Sequence, residues 1–79
     1  MSQCSVEFVI EPFSDGEPGR HVTAGIQAME AQGLVVTMGP FGSTVEGDVD
    51  VVTSAIASMV KAAVNDGAHR VLVEVTTSP

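Results

Sequence analysis

The sequence predicts an α+β domain in the order β-α-β-β-α-β. Three observations point to this: a strictly alternating segment near the N-terminus, two amphipathic helical stripes on either side of a β-branched hairpin, and a valine-rich alternating segment near the C-terminus. Period 2 marks half-buried strands, and spacings of three and four mark helices.

The first strand spans Ser5 to Glu11. Val6, Phe8 and Ile10 point one way, while Ser5, Glu7, Val9 and Glu11 point the other. Pro12 ends it, and Phe13 to Gly19, with its Ser, Asp, Gly and Pro residues, reads as a loop. A helix from about Pro18 or Arg20 to Gln32 follows, with Val22, Ile26 and Met29 on one stripe. Gly25 costs helix propensity but permits close packing, and Gly33 suits the left-handed position that ends a helix. Leu34 to Met38 is a second strand. Gly39-Pro40-Phe41-Gly42 is a turn with Pro40 in the second turn position, and Ser43 to Glu46 is a short third strand, so the two strands should form an antiparallel hairpin. The second helix runs from about Asp48 to Asn65. Its stripe is Val49, Val52, Ile56, Met59, Val60 and Ala63, its N-cap is Asp48, and Asp66-Gly67 closes it. Arg70 to Thr76 is the last strand.

With right-handed crossovers, both helices lie on one face of a four-stranded antiparallel sheet, the ferredoxin-like arrangement, with the first and third strands central. The 79 residues make one domain, residues 1–79. A chain this short buries only about 60% of the surface its unfolded form exposes, so it gains from self-association. Cys4 is the only cysteine, so no internal disulfide forms, and an unpaired thiol fits a reducing compartment. No basic region leads into an apolar run, and no stretch approaches the roughly 18 apolar residues of a membrane helix. The expected location is the cytoplasm, with no membrane partner.

Ten acids face three bases, Arg20, Lys61 and Arg70, for a net charge of −7. This balance repels a phosphate backbone, and without Tyr or Trp a base-stacking platform is missing too, so nucleic acid is not an expected partner. A cationic small molecule is electrostatically easier.

Alternation places Val6, Phe8, Ile10, Val45, Val71, Val73 and Val75 toward the helices. It leaves Glu7, Val9, Thr44, Glu46, Leu72 and Glu74 on the uncovered face. Acids there keep a solvated face soluble, or they meet a cation or an N–H donor. Val9 and Leu72 would gain nothing in open solvent, which favours a face covered by another subunit. A carboxylate enclosed there needs a partner, since burying it bare costs several kcal/mol.

Catalytic signatures are missing. There is no Cys-x-x-Cys metal motif and no nucleophile elbow, and Cys4 has no neighbouring base or cation in sequence. His21 and His69 read as surface or capping residues. Acylphosphatases share this topology but need an arginine in an anion-cradling loop after the first strand; here that loop carries Asp15 and Glu17. No catalytic residue, metal ligand or resident cofactor is expected.

The run Gly39-Pro40-Phe41-Gly42-Ser43-Thr44-Val45-Glu46-Gly47-Asp48 closely resembles the Gly-Pro-x-Gly-Thr-x-x-Glu-Gly signature of the thiamine-binding protein family. Glu7-Phe8-x-Ile10-x-Pro12 and Asp66-Gly67-Ala68-x-Arg70-Val71 agree with it, so the resemblance covers nearly the whole chain. It departs at Arg20-His21, where relatives often carry a small polar residue and Tyr, and in the loop Phe13 to Gly19. The resemblance implies a ferredoxin-like fold paired into dimers that stack through their sheets into tetramers. It also implies binding of thiamine or its hydroxymethylpyrimidine part without catalysis. Carried onto this chain, the ligand-binding set is Glu7 and Glu46 for the cation or aminopyrimidine, Thr44 or Ser43 for a hydrogen bond, and Phe41 or Val9 for ring contact. Phe41 alternatively serves to anchor the turn. The alternative function is an interaction module whose open sheet face only builds a homo-oligomer.

Overall fold

The computed structural model describes residues 2–12 and 19–77, so the expected loop after the first strand lies, but for Gly19, outside the described residues. The elements are β1 (Gln3–Glu11), α1 (Arg20–Glu30), β2 (Thr37–Gly39), β3 (Gly42–Asp48), α2 (Val49–Asn65) and β4 (Arg70–Thr77). All strand pairs are antiparallel, in the order β2-β3-β1-β4. This is the expected ferredoxin-like α+β arrangement.

The alternation of β1 organises the packing. Val6, Phe8 and Ile10 are buried beneath the helices together with Cys4 and Val45. From above come Val22 and Met29 of α1 and Val52, Ala55, Met59 and Ala63 of α2. Burial of large apolar side chains such as Phe8 and Met59 stabilises by about 1.5–3 kcal/mol each. The two helices meet closely at Gly25, where a Cβ would lie 2.5 Å from Ile10 Cδ1 and 3.3 Å from Met59 Cγ. The missing side chain therefore outweighs the propensity cost of a mid-helix glycine.

Helix boundaries follow from local chemistry. Asp48 caps α2, its carboxylate accepting from the Asp50 N–H at 3.1 Å. The Val49 N–H donates to the Ser2 carbonyl at 2.9 Å, tying the start of the chain to the start of α2. Gly33 and Gly67 follow the helices with φ of 85° and 105°, the left-handed conformation that glycine adopts without strain. Gln32 Nε2 donates to Ser58 Oγ at 2.9 Å, linking the two helices near the end of the first.

Beside shifts of one or two residues at the ends of β1, α1 and β4, two strands differ from expectation for reasons that the packing shows. The second strand is only Thr37–Gly39, because Leu34 and Val36 turn inward and pack against the core rather than pairing. Gly47 makes room for this: a Cβ there would lie 3.2 Å from both Leu34 Cδ2 and Val52 Cγ2. The third strand extends to Asp48, because its pairing with β1 continues through Cys4↔Gly47 and Gln3↔Asp48.

A third difference concerns β4. Val71, Val73 and Val75 do share the helix side, being register partners of Ile10, Phe8 and Val6. The helix layer, however, centres on β1 and β3. Val71 packs against the core, whereas Val73 and Val75 remain 38% and 47% exposed.

The tight contact at Gly25 leads to a prediction. Gly25→Val should destabilise the fold by about 1–3 kcal/mol through overpacking, read as a lower urea midpoint at unchanged slope. An unchanged midpoint would mean the helices separate there without cost.

Candidate functional site

Strand register places the open-face side chains in rows across the sheet. One row is Thr37, Thr44, Glu7 and Glu74, running from β2 to β4. Beside it lie the pairs Gly39–Gly42 and Val9–Leu72, with Gly42 next to the Val9 side chain. Over this row and these pairs lies an open cleft of about 560 Å³, walled at the hairpin by Pro40 and Phe41. Small-molecule sites commonly fall in this size range.

The glycines shape the floor. A Cβ on Gly42 would lie 3.0 Å from both Val9 Cγ2 and the Phe8 carbonyl oxygen, and one on Gly39 would lie 3.3 Å from the Gly42 carbonyl oxygen. Bare backbone therefore forms the floor beside the turn, and Val9 extends it toward Leu72. Phe41 is 89% exposed, so it stands at the cleft rim and does not anchor the turn by packing.

The charge pattern is uneven. Glu7 and Glu74 are direct partners across β1 and β4, and like charges placed opposite each other repel. On its other side Glu7 faces Thr44, whose hydroxyl both donates and accepts. Arg70 lies 3.8 Å from Glu11 at the far end of β4, away from the carboxylate pair. The cleft thus combines two exposed carboxylates, hydroxyls, an apolar floor and one aromatic ring. That combination suits a flat, partly apolar molecule carrying a positive charge or N–H donors.

Among the expected site residues, Glu7, Val9, Phe41 and Thr44 line this cleft. Ser43 borders it, but its register partner is Phe8 and its side chain is buried on the helix side, which leaves the open-face hydroxyl to Thr44. Glu46 shares the open face but pairs with Ser5, one row away, and lines two smaller depressions of about 140 and 230 Å³. Leu72 and Glu74 line the cleft without having been singled out as site residues. Their signal was present, since alternation already placed both on this face; only the register shows that Glu74, not Glu46, stands directly opposite Glu7. His21 is half-buried, and its Nε2 hydrogen bonds to the Pro12 carbonyl; His69 is exposed. Among the described residues, no three of His, Cys, Asp and Glu converge as a metal site would require. Among those residues, too, no helix is long and apolar enough to cross a membrane.

A family model for thiamine-binding proteins matches residues 6–78. Solved structures share the fold at low identity. A domain of unknown function from Bacillus cereus is 23% identical with a TM-score of 0.71, covering 100% of this chain and 78% of that one. A hypothetical protein from Methanocaldococcus jannaschii is 21% identical with a TM-score of 0.72, covering 100% of this chain and 81% of that one. A Thermotoga maritima protein described as a candidate thiamine biosynthesis or salvage protein is 17% identical with a TM-score of 0.67, covering 98% of this chain and 83% of that one. No curated protein matches the chain.

Two expectations follow from the geometry. Glu74→Gln should raise the melting temperature at low salt by relieving repulsion from Glu7, and the gain should fade at ~1 M salt, where the screening length is ~3 Å. A gain that persists in high salt would assign it to packing. Phe41→Ala should leave folding stability within about 0.5 kcal/mol of the parent, because an exposed ring at a turn contributes little; a larger loss in chemical denaturation would return Phe41 to an anchoring role.

Proposed function

This chain belongs to the thiamine-binding protein family, and on that premise we propose that its open sheet face binds thiamine or the hydroxymethylpyrimidine part of it and does not transform it. The observation that carries the reading is the position of Glu7: a carboxylate on a central strand, beside the Thr44 hydroxyl, next to an apolar floor of Val9 and Leu72, in a cleft with the exposed ring of Phe41 at its rim.

The chemistry of the ligand matches this set. The thiazolium ring carries a permanent positive charge, which two carboxylates attract at short range. The aminopyrimidine presents N–H donors and ring-nitrogen acceptors that a carboxylate and a hydroxyl read directly. Its flat ring lies against apolar carbon on the floor and Phe41 at the rim. Carboxylates, a hydroxyl and apolar surface are groups that hold such a ligand, which supports binding as the role of the site. The cellular role that fits is salvage, transport or sensing of the vitamin, in keeping with the description of the Thermotoga maritima neighbour.

Titration calorimetry against thiamine, hydroxymethylpyrimidine and thiamine phosphate tests the reading. Thiamine and hydroxymethylpyrimidine should bind, and the phosphate ester should bind least well, because its anion approaches Glu7 and Glu74. Glu7→Gln should weaken thiamine binding by about 1–3 kcal/mol, the scale of a lost charged hydrogen bond. Glu46→Gln should weaken it less, since Glu46 stands one row outside the cleft. No heat with any of the three compounds, and no ligand-dependent rise in melting temperature, would leave the second reading: a module whose open face only joins copies of itself. The exposed apolar side chains of β4 favour that alternative.

A further inference from the structure

The short β2 leaves part of β3 without a neighbour. In a two-residue hairpin the residues flanking the turn form a hydrogen-bonded pair, and such pairs recur at every second residue. Gly39↔Gly42 is therefore hydrogen-bonded, and so is Thr37↔Thr44. The next residue of β3 whose N–H and C=O point the same way is Glu46, and a continued register would set Val35 opposite it. Val35 does not take that place. β2 begins only at Thr37, and among the described residues no backbone hydrogen bond joins Glu46 to residues 34–36. Leu34 and Val36 pack against the core instead. Beyond Glu46 the chain leaves for α2 after Asp48, so the free edge is about one residue long. A depression of about 230 Å³ lies at this gap, lined by Val35, Thr37, Thr44, Val45 and Glu46. A single bridging water occupies about 30 Å³, so the space holds much more than a water would need to satisfy the edge. An added peptide strand gains affinity from successive main-chain pairs, and one free residue offers too few.

We propose that this depression is a second binding site, in which the backbone N–H and C=O of Glu46 pair with the edge of a flat nitrogen heterocycle carrying an amino group beside a ring nitrogen. The N–H and C=O of one extended residue lie side by side and point the same way. They match a ring-nitrogen acceptor next to an amino donor, each ligand atom meeting its complement. Val35, 80% exposed at the gap, supplies apolar contact for the ring, and the exposed Thr37 and Thr44 offer hydroxyls beside it. A simple carboxamide carries the same donor and acceptor but has no ring for Val35 to meet. The Glu46 carboxylate is not the reader here, because the pairing groups are main-chain. Of the residues lining this depression only Thr44 also lines the Glu7 cleft, so the proposal does not rest on what that cleft holds.

Amide-resolved NMR on the isotope-labelled whole chain is the test. Without ligand, the Glu46 amide should exchange with solvent faster than those of Thr44, paired with Thr37, and Val45, paired with Val6. 4-Aminopyrimidine should move the Glu46 amide downfield and saturably, with smaller shifts at Val35, Thr37 and Thr44. 4-(Dimethylamino)pyrimidine, which lacks the donor, should bind at least ~10-fold more weakly, and so should acetamide, which lacks the ring. Val35→Ser should weaken binding ~3-fold by removing apolar contact, and this exposed position should leave the circular dichroism spectrum as it is. Glu46→Gln keeps the backbone edge and Glu7→Gln alters the other cleft, so each should leave the affinity for 4-aminopyrimidine within ~2-fold. A Glu46 amide as slow to exchange as its neighbours, shifts confined to Glu7 and Phe41, the dimethylamino compound or acetamide binding as well as 4-aminopyrimidine, or Glu46→Gln costing more than Val35→Ser would each overturn the proposal.

Discussion

The structure depends on the two-sided character of β1. As a central strand, flanked by β3 and β4, it commits Val6, Phe8 and Ile10 to the core and Glu7 and Val9 to the open face. A slip of one residue would bury Glu7 and expose Phe8, exchanging an apolar core contact for a bare carboxylate at a cost of several kcal/mol. The same alternation that secures the core therefore fixes the position of the cleft. The floor of the cleft is the reverse side of this buried strand.

The helices add a second constraint. Gly25 lets them approach closely over β1 and β3, and Gly47 lets Leu34 and Val52 fill the space beneath. That tight packing leaves the helix layer narrower than the sheet. β4 is thereby a fully formed strand with an uncovered flank, and its exposed Leu72, Val73 and Val75 follow from where the helices sit.

Much of this was legible in the residues. The period-2 run in β1, the three-and-four stripes of α1 and α2 and the capping Asp48 each follow one local rule, and each appears where that rule puts it. Other features depend on contacts that local periodicity does not encode. Leu34 and Val36 look like strand residues but turn to the core, so β2 shortens. Val73 and Val75 look like core but lie beyond the helices. Glu46 and Glu74 are equivalent by alternation, and only inter-strand register distinguishes the carboxylate beside the cleft from the one a row away. Phe41 is ambiguous in sequence because a turn aromatic packs inward or stands free according to the space beneath it, and here Gly39 and Gly42 leave the floor bare.

The brevity of β2 has a bearing on how such a domain diversifies. Its three residues contribute none of the buried core, and the turn it carries is joined to the sheet by only three register pairs. Segments with so few buried contacts open at a small fraction of the global unfolding free energy. Substitutions and insertions at the Pro40–Phe41 tip thus fall on a segment that the core holds only weakly. The rim of the cleft can change shape while the apolar floor and the carboxylates beside it, held by the core beneath, stay as they are.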